Sequence, residues 1–220
     1  MSNSLKTAAY QVWGKKPIQH HHIIMDAILP FVKVIDCHKN KKLNLVYSGQ
    51  DVCYFLFEGY GAFCRNSDGL MLSNIRAPHI AGLNNVILPY GEEYYIRPEK
   101  ECVVMMASTD KVKDVIADNN LWQSLAIILA YQSYEFSGMI NRLTGRSSYE
   151  LICNQILALM DEPEDIRLSI TPAQYIMNKT LLSRSYVMKI LARLKSSQKI
   201  IIENKTLVCA SSLMSELAQR

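Results

Sequence analysis

The chain has no Cys-x-x-Cys pair. Its six cysteines stand at 37, 53, 64, 102, 153 and 209, a spacing that signals neither a zinc site nor a thioredoxin-type redox pair. Reduced, buried thiols are the expectation, because cysteine is among the residues most often found inside proteins, with a redox-sensing cysteine as the open alternative. Long apolar runs are missing too. The longest, Leu121 to Tyr134, is interrupted by Gln123, Ser124, Gln132 and Ser133, and it falls short of the ~20 apolar residues that cross a bilayer. No apolar stretch follows Lys6, Lys15 and Lys16, as a secretory signal would require. The expectation is a soluble, cytoplasmic protein with no membrane partner. No nucleophile, base and orienting group fall into a recognisable motif, so neither an enzyme nor catalytic residues are expected. His20-His21-His22 does not change this. Consecutive helical positions point ~100° apart, so three adjacent histidines do not converge on one ion. An exposed polar run, with no metal and no cofactor, is the expectation there.

What is present begins with charge. The net +4 of the 220 residues is unevenly spread. From Ser169 onward eight Lys or Arg face two acids, a balance of +6, whereas the preceding 168 residues carry −2. A basic module therefore sits on a slightly acidic body. Positive charge at a docking surface is what phosphate neutralisation needs, so double-stranded DNA is the expected partner.

The basic segment has a pattern. Val187, Ile190, Leu191 and Leu194 recur at i, i+3, i+4 and i+7 and make one buried stripe. Arg184, Ser185, Met188 and Lys189 point the other way. Upstream, Thr171-Pro172-Ala173-Gln174 is a helix start: Thr171 caps, Pro172 takes the first helical position and Gln174 closes a capping box. Helices near Pro172 to Lys179 and Ser183 to Ser196 leave only Thr180 to Leu182 between them, a helix-turn-helix. Lys199 to Glu203 and Thr206 to Cys209 then read as two strands joined by Asn204-Lys205, a wing.

The segment Ile170 to Val208, centred on Leu182-Ser183-Arg184-Ser185-Tyr186-Val187-Met188-Lys189-Ile190-Leu191, resembles the winged helix-turn-helix of the cyclic-AMP receptor and fumarate-nitrate regulator family of bacterial transcription factors. The resemblance implies that Arg184 reads a guanine, that Ser185 and Lys189 face neighbouring bases, and that Gln174, Ser183 and Lys205 contact phosphates. Arginine is bidentate to guanine, worth ~1–3 kcal/mol of discrimination, while Ser and Lys are less exclusive. One departure lies in the turn, where the family often has Gly and this chain has Leu181. A left-handed conformation there is strained for Leu.

The N-terminal half reads as short strands and turns. Val52 to Phe57, Ala62 to Cys64, Leu70 to Leu72, Glu93 to Ile96 and Glu101 to Ala107 are rich in strand formers, with Ser67-Asp68-Gly69 as a turn. A small antiparallel barrel or roll follows, preceded by a helix around His22 to Leu29. Phe63, Tyr94, Tyr95, Met105 and Met106 are expected in its core rather than around a ligand. In the cyclic-nucleotide-binding members a Gly-Glu-Leu segment holds the ribose and an Arg-Ser pair clamps the phosphate. Here His79-Ile80-Ala81-Gly82-Leu83 puts Gly82 where that carboxylate belongs, and Glu92-Glu93 fall near the phosphate position. Acids there repel a phosphate, so no cyclic nucleotide is expected. The clustered cysteines that hold an iron–sulfur cluster in the fumarate-nitrate regulators are missing as well.

Between the two halves, Trp122, Leu125, Leu129, Gln132, Phe136, Met139 and Leu143 alternate spacings of three and four over roughly three heptads. This stripe is the expected dimer interface, with Gln132 fixing register, and the resemblance implies a homodimer whose reading helices lie about one DNA turn apart. A further helix, Ser148 to Met160, leads to Asp161-Glu162-Pro163-Glu164-Asp165, the expected hinge between domains. The chain is thus expected to be an α+β protein: a cyclic-nucleotide-binding-like β-roll over 1–118, a dimerisation helix over 119–145 and a winged helix-turn-helix DNA-binding domain over 146–220. Patches at Ile75 to Leu83, Asn120-Leu121-Trp122 and Ser147 to Glu150 resemble a narrower enterobacterial group that lacks the nucleotide site, which implies a role in hydrogen peroxide resistance. Two functions stay open: a DNA-binding regulator, with RNA polymerase as a further partner, or a module that keeps the fold and acts by binding another regulator or a polymerase subunit.

Overall fold

A computed structural model describes residues 16–37, 41–89, 92–99, 102–143, 147–210 and 212–213, the side chains of 141–143 excepted. The chain forms two compact units, Met1–Gly138 and Met139–Arg220.

The first unit is organised by one strand. β4 (Gln50–Glu58) is apolar on both faces, and its period of two sends alternate residues into two different cores. Val52, Tyr54 and Leu56 pack with Leu43, Ile75, Ile96 and Val104. Cys53 and Phe55 pack with Ile24, Met25 and Ile28 of α1 (Ile18–Ile28), Val112, Val115 and Ile116 of α3 (Thr109–Asp118), and Leu125 and Ile128 of α4 (Trp122–Leu143). The first of these cores lies between two antiparallel sheets. One runs β1 (Lys33–Ile35), β9 (Val103–Ser108), β4, β3 (Val46–Tyr47), with β7 (His79–Ala81) also on β4. The other runs β2 (Leu43–Asn44), β8 (Tyr94–Pro98), β5 (Tyr60–Arg65), β6 (Met71–Arg76). The expected roll is the observed one. Its β5–β6 turn is held by Arg65, which donates to Asp68 at 3.1 and 2.6 Å, while Asp68 also accepts from the Leu70 amide. Phe63 stacks on Tyr94 with ring centroids 5.2 Å apart, and Tyr95 is buried.

The histidine run is not an exposed one. α1 starts four residues earlier than its apolar pattern indicates, and this carries His21 inside at 1 % exposure. Its Nδ1 donates to the Pro17 carbonyl at 2.9 Å, and its ring stacks on His79. His20 Nδ1 lies 3.1 Å from Ser124 Oγ of α4, and only His22 faces solvent. Burial drives the His21 pKa down from 6.5 to about 4 and that of His79 well below the ordinary range. Both rings fold as neutral bases, whereas the unfolded chain takes up protons below about pH 6.5. Stability is therefore fully present above the unfolded value and falls as pH drops from 6.5 towards 4. Between pH 7 and pH 5 thermal unfolding of the wild type should show a loss on the order of 1–2 kcal/mol from His21 alone. His21→Gln should flatten that dependence; an unchanged slope would assign the acid sensitivity elsewhere.

The second unit is helical with a hairpin. α5 (Ser148–Asp161) opens on a capping box in which Ser147 and Glu150 satisfy each other's backbone amides. It buries Ile152, Cys153, Ile156 and Leu159. α6 (Glu164–Ser169), α7 (Pro172–Thr180), α8 (Arg184–Ser196) and the hairpin β10 (Ile201–Glu203) and β11 (Thr206–Cys209) complete it. The acidic stretch 161–165 is not a hinge between domains. It joins α5 to α6 within this unit, Glu164 and Asp165 forming the first turn of α6, where acids favour the helix dipole. Among the described residues no helix is long and apolar enough to cross a membrane.

Candidate nucleic-acid interface

α7 and α8 are built as their sequence spacing indicates. Thr171 Oγ1 accepts from the Gln174 amide at 3.2 Å, with Pro172 at the first helical position. The capping box does not close, because Gln174 Nε2 donates instead to Asn178 Oδ1, one turn on, at 2.7 Å. Gln174 stays exposed on α7. α7 is anchored by a carboxylate of the acidic stretch that precedes α6. Glu162 accepts from Tyr175 Oη at 2.7 Å and pairs with Lys179 Nζ at 3.4 Å, while Lys179 also donates to Tyr175 Oη at 2.6 Å. Lys179 is thereby neutralised by the body of the module, and one of the eight basic charges is not available to phosphate. Only its acid partner, seventeen residues upstream, could have signalled this.

The chain then turns through Leu181, which adopts φ +56°, ψ +15° and donates its amide to the Met177 carbonyl. The strain expected for Leu at this position is real. Its side chain is 53 % exposed, so little packing compensates. Leu181→Gly should raise stability by up to about 1 kcal/mol, relief of the left-handed strain outweighing the entropy of glycine. Chemical denaturation checks this, and a destabilised variant would show that the Leu181 side chain contributes more than its strain costs.

Ser183 caps α8, its Oγ accepting from the Tyr186 amide at 3.4 Å and lying 3.3 Å from Ser185 Oγ. One face of α8 is closed: Val187, Ile190, Leu191 and Leu194 are all buried. On the other face Arg184, Ser185, Met188 and Lys189 are all exposed. Met188 adds an apolar surface beside the polar three, the kind that can meet a thymine methyl group. Lys205 lies at the tip of the β10–β11 hairpin, where it and Asn204 take positive φ values of 68° and 48°. That pair of left-handed residues is the two-residue turn whose twist suits a hairpin. Arg167 of α6 donates to the Leu207 carbonyl at 3.1 Å and ties the hairpin to the module.

Much of the expected dimer stripe on α4 packs against the roll of its own chain. Leu125 is only 2 % exposed within the single chain and belongs to the core. Leu129 packs against that core. Gln132 Nε2 donates to the Ile80 carbonyl at 3.3 Å, and Phe136 meets Phe63 edge-on at 6.1 Å. This face of the helix is the one that holds its own roll. Trp122 is partly exposed at its start, Met139 is half-buried, and the Leu143 side chain lies outside the described residues. Gln123, Ala126, Ala130, Ser133, Ser137 and Ile140 are all exposed and again alternate three and four.

In the segment that matches the ribose-holding one of the nucleotide-binding members, Gly82 takes φ +89° at the start of α2 (Leu83–Ile87). A Cβ there would stand 2.6 Å from the Val52 carbonyl oxygen and 3.3 Å from Cys53 Cα. Glu92 and Glu93 are exposed.

Comparison with known proteins agrees with this geometry. Residues 148–214 match the winged helix-turn-helix DNA-binding family. The inhibitor of hydrogen peroxide resistance of Salmonella typhimurium is 25 % identical over 163 residues, 74 % of this chain and 78 % of that protein. Among solved structures, the c-di-GMP-responsive global regulator CLP of Xanthomonas campestris superposes with a TM-score of 0.69 at 14 % identity, covering 84 % of this chain and 97 % of that one. A transcriptional regulator of the CRP/FNR family from Thermus thermophilus gives 0.63 at 18 % identity, with 86 % and 99 % covered.

Proposed function

We propose that this chain, which has the fold of the cyclic-AMP receptor and fumarate-nitrate regulators and a winged helix-turn-helix of the DNA-binding kind at its C-terminal end, is a sequence-specific transcriptional regulator that works without a cyclic nucleotide. One observation carries the reading: α8 is fully closed on one face and presents Arg184, Ser185 and Lys189 on the other, with Lys205 on the hairpin beside it in sequence. Arg184 is the base-reading group, Ser185 and Lys189 face adjacent bases, and Gln174, Ser183 and Lys205 hold phosphates. Cyclic-nucleotide independence is supported by the crowding at Gly82, which leaves no room for a carboxylate, and by Glu92 and Glu93. The Salmonella relative suggests control of hydrogen peroxide resistance.

The protein acts as a homodimer in the cytoplasm through α4, with the open stripe from Gln123 to Ile140 as the contact. Two reading helices about one DNA turn apart then call for a palindromic site. Genome-wide DNA capture with the full chain tests this. A palindrome should be enriched and its affinity should fall steeply with salt. No enrichment from well-expressed protein would transfer the function to protein contacts.

A further inference from the structure

β1 and β9 are antiparallel, with Lys33 opposite Met106, Val34 opposite Met105 and Ile35 opposite Val104. The ladder ends there, and its register extended two residues beyond β1 would set Cys37 opposite Cys102. Directly opposed residues of an antiparallel pair project to the same side with Cα atoms ~4.5–5.5 Å apart, inside the ~4.4–6.8 Å window of disulfides. The packing agrees. Both side chains lie against the core between the two sheets, beside Ile35 and Val104. Each thiol is reduced and partly exposed, as is Cys209, whereas Cys53, Cys64 and Cys153 are buried. The pairing is invisible in the sequence because 64 residues separate the two.

We infer that Cys37 and Cys102 are a dithiol–disulfide pair, oxidised by a hydroperoxide to a cross-strand bridge that staples the edge strand β1 onto β9. Cys37 is the first nucleophile. Cys102 donates from Sγ to the Tyr60 carbonyl at 3.0 Å, and at Cys37 burial raises the thiol while Lys41 offsets part of that rise. The Cys37 thiolate attacks the distal peroxide oxygen, the O–O bond breaks, and the alkoxide or hydroxide leaves with a proton as alcohol or water. The Cys102 thiolate then attacks the sulfenic sulfur, and hydroxide leaves and is protonated to water. Two thiols have lost two electrons and the peroxide has gained them. The Tyr60 carbonyl is not orphaned, since it keeps the Glu99 amide at 3.0 Å.

Burial pushes both thiols up, and the nearby Cys102 adds to the rise at Cys37 as Glu99 does at Cys102. Reaction is therefore slow at neutral pH and should accelerate about tenfold per pH unit through the range below the Cys37 pKa. The bridge closes a long loop, so the melting temperature should rise by roughly 5–10 °C.

The test treats the full chain with hydrogen peroxide, traps thiols, and reads mass, peptides and melting temperature. Expected are two fewer trapped thiols than in the reduced protein, one Cys37–Cys102 cross-linked peptide, and a stabilisation that dithiothreitol reverses. Cys37→Ala and Cys102→Ala should each abolish both changes. Sulfinic or sulfonic products without the cross-link, a bridge between other cysteines or between chains, or a stabilisation that persists in Cys102→Ala would overturn the inference. None of these readouts involves DNA, so the outcome is separate from that of the regulator reading.

Discussion

Arg184→Ala combined with Lys189→Ala should weaken binding to the specific site by about 10²–10⁴-fold, with the melting temperature essentially unchanged. The asymmetry follows from where the two side chains lie. Both are exposed on α8, and neither belongs to the stripe Val187, Ile190, Leu191, Leu194 that closes the module. Alanine is the best helix former, so the backbone loses nothing. A guanine contact by arginine is worth ~1–3 kcal/mol, and a dimer makes it twice. On the proposed reading Lys189 contacts a base or phosphate, and its loss should also lower the salt slope. Lys195→Ala is the control: it is exposed towards the C-terminal end of the same helix and should produce a small loss that does not depend on sequence. Fluorescence anisotropy on specific and scrambled duplexes at two salt concentrations separates the cases. A double variant that keeps full specific affinity would remove α8 as the reader, whatever the module's family.

α8 and its hairpin were legible because their determinants are local. Ser183, the four-residue apolar stripe and the hairpin residues Asn204-Lys205 act within a turn or two of themselves, and they fold as their spacing requires. β4 was equally plain, since a strand sandwiched on both faces is a continuous apolar run. What failed depended on a competitor elsewhere. Gln174 had a nearer partner in Asn178 than the amide of the cap. On α4 two stripes share one heptad spacing, and the more apolar of them is the one a helix turns to its own core. Periodicity states that a face is buried; it does not state against what. His21 is the sharpest case, because a polar run on the surface and a buried ring satisfied by the Pro17 carbonyl are the same three letters. Lys179 counted as charge in the sequence and is cancelled by Glu162 in space.

Gly82→Glu, which rewrites the segment to Ala-Glu-Leu and restores the carboxylate of the nucleotide-binding pattern, should gain no cyclic AMP binding and should lower the melting temperature by on the order of 10 °C. Two costs add. A side chain at φ +89° is outside the ordinary range of L residues and costs ~1–3 kcal/mol. Its Cβ would also meet the Val52 carbonyl oxygen at 2.6 Å, and that atom cannot retreat, since β4 is paired with β9 on one side and with β7 on the other. Overpacking of this kind costs a further ~1–3 kcal/mol, and each kcal/mol is ~2–4 °C for a chain of this size. Gly49→Ala isolates the first cost, because Gly49 has φ +78° but nothing within 4 Å of its Cβ position. Gly82→Ala should therefore be the more damaging of the two alanine variants, and the difference measures the clash alone. Cyclic AMP should leave the melting curves of the wild type and of Gly82→Glu unmoved. If Gly82→Glu instead folded with wild-type stability and bound the nucleotide, the glycine would be a recent loss on an intact site. The clash is the larger of the two costs to test, because the β7–α2 corner sits so close to β4 that a Cβ at position 82 fits only if backbone shifts.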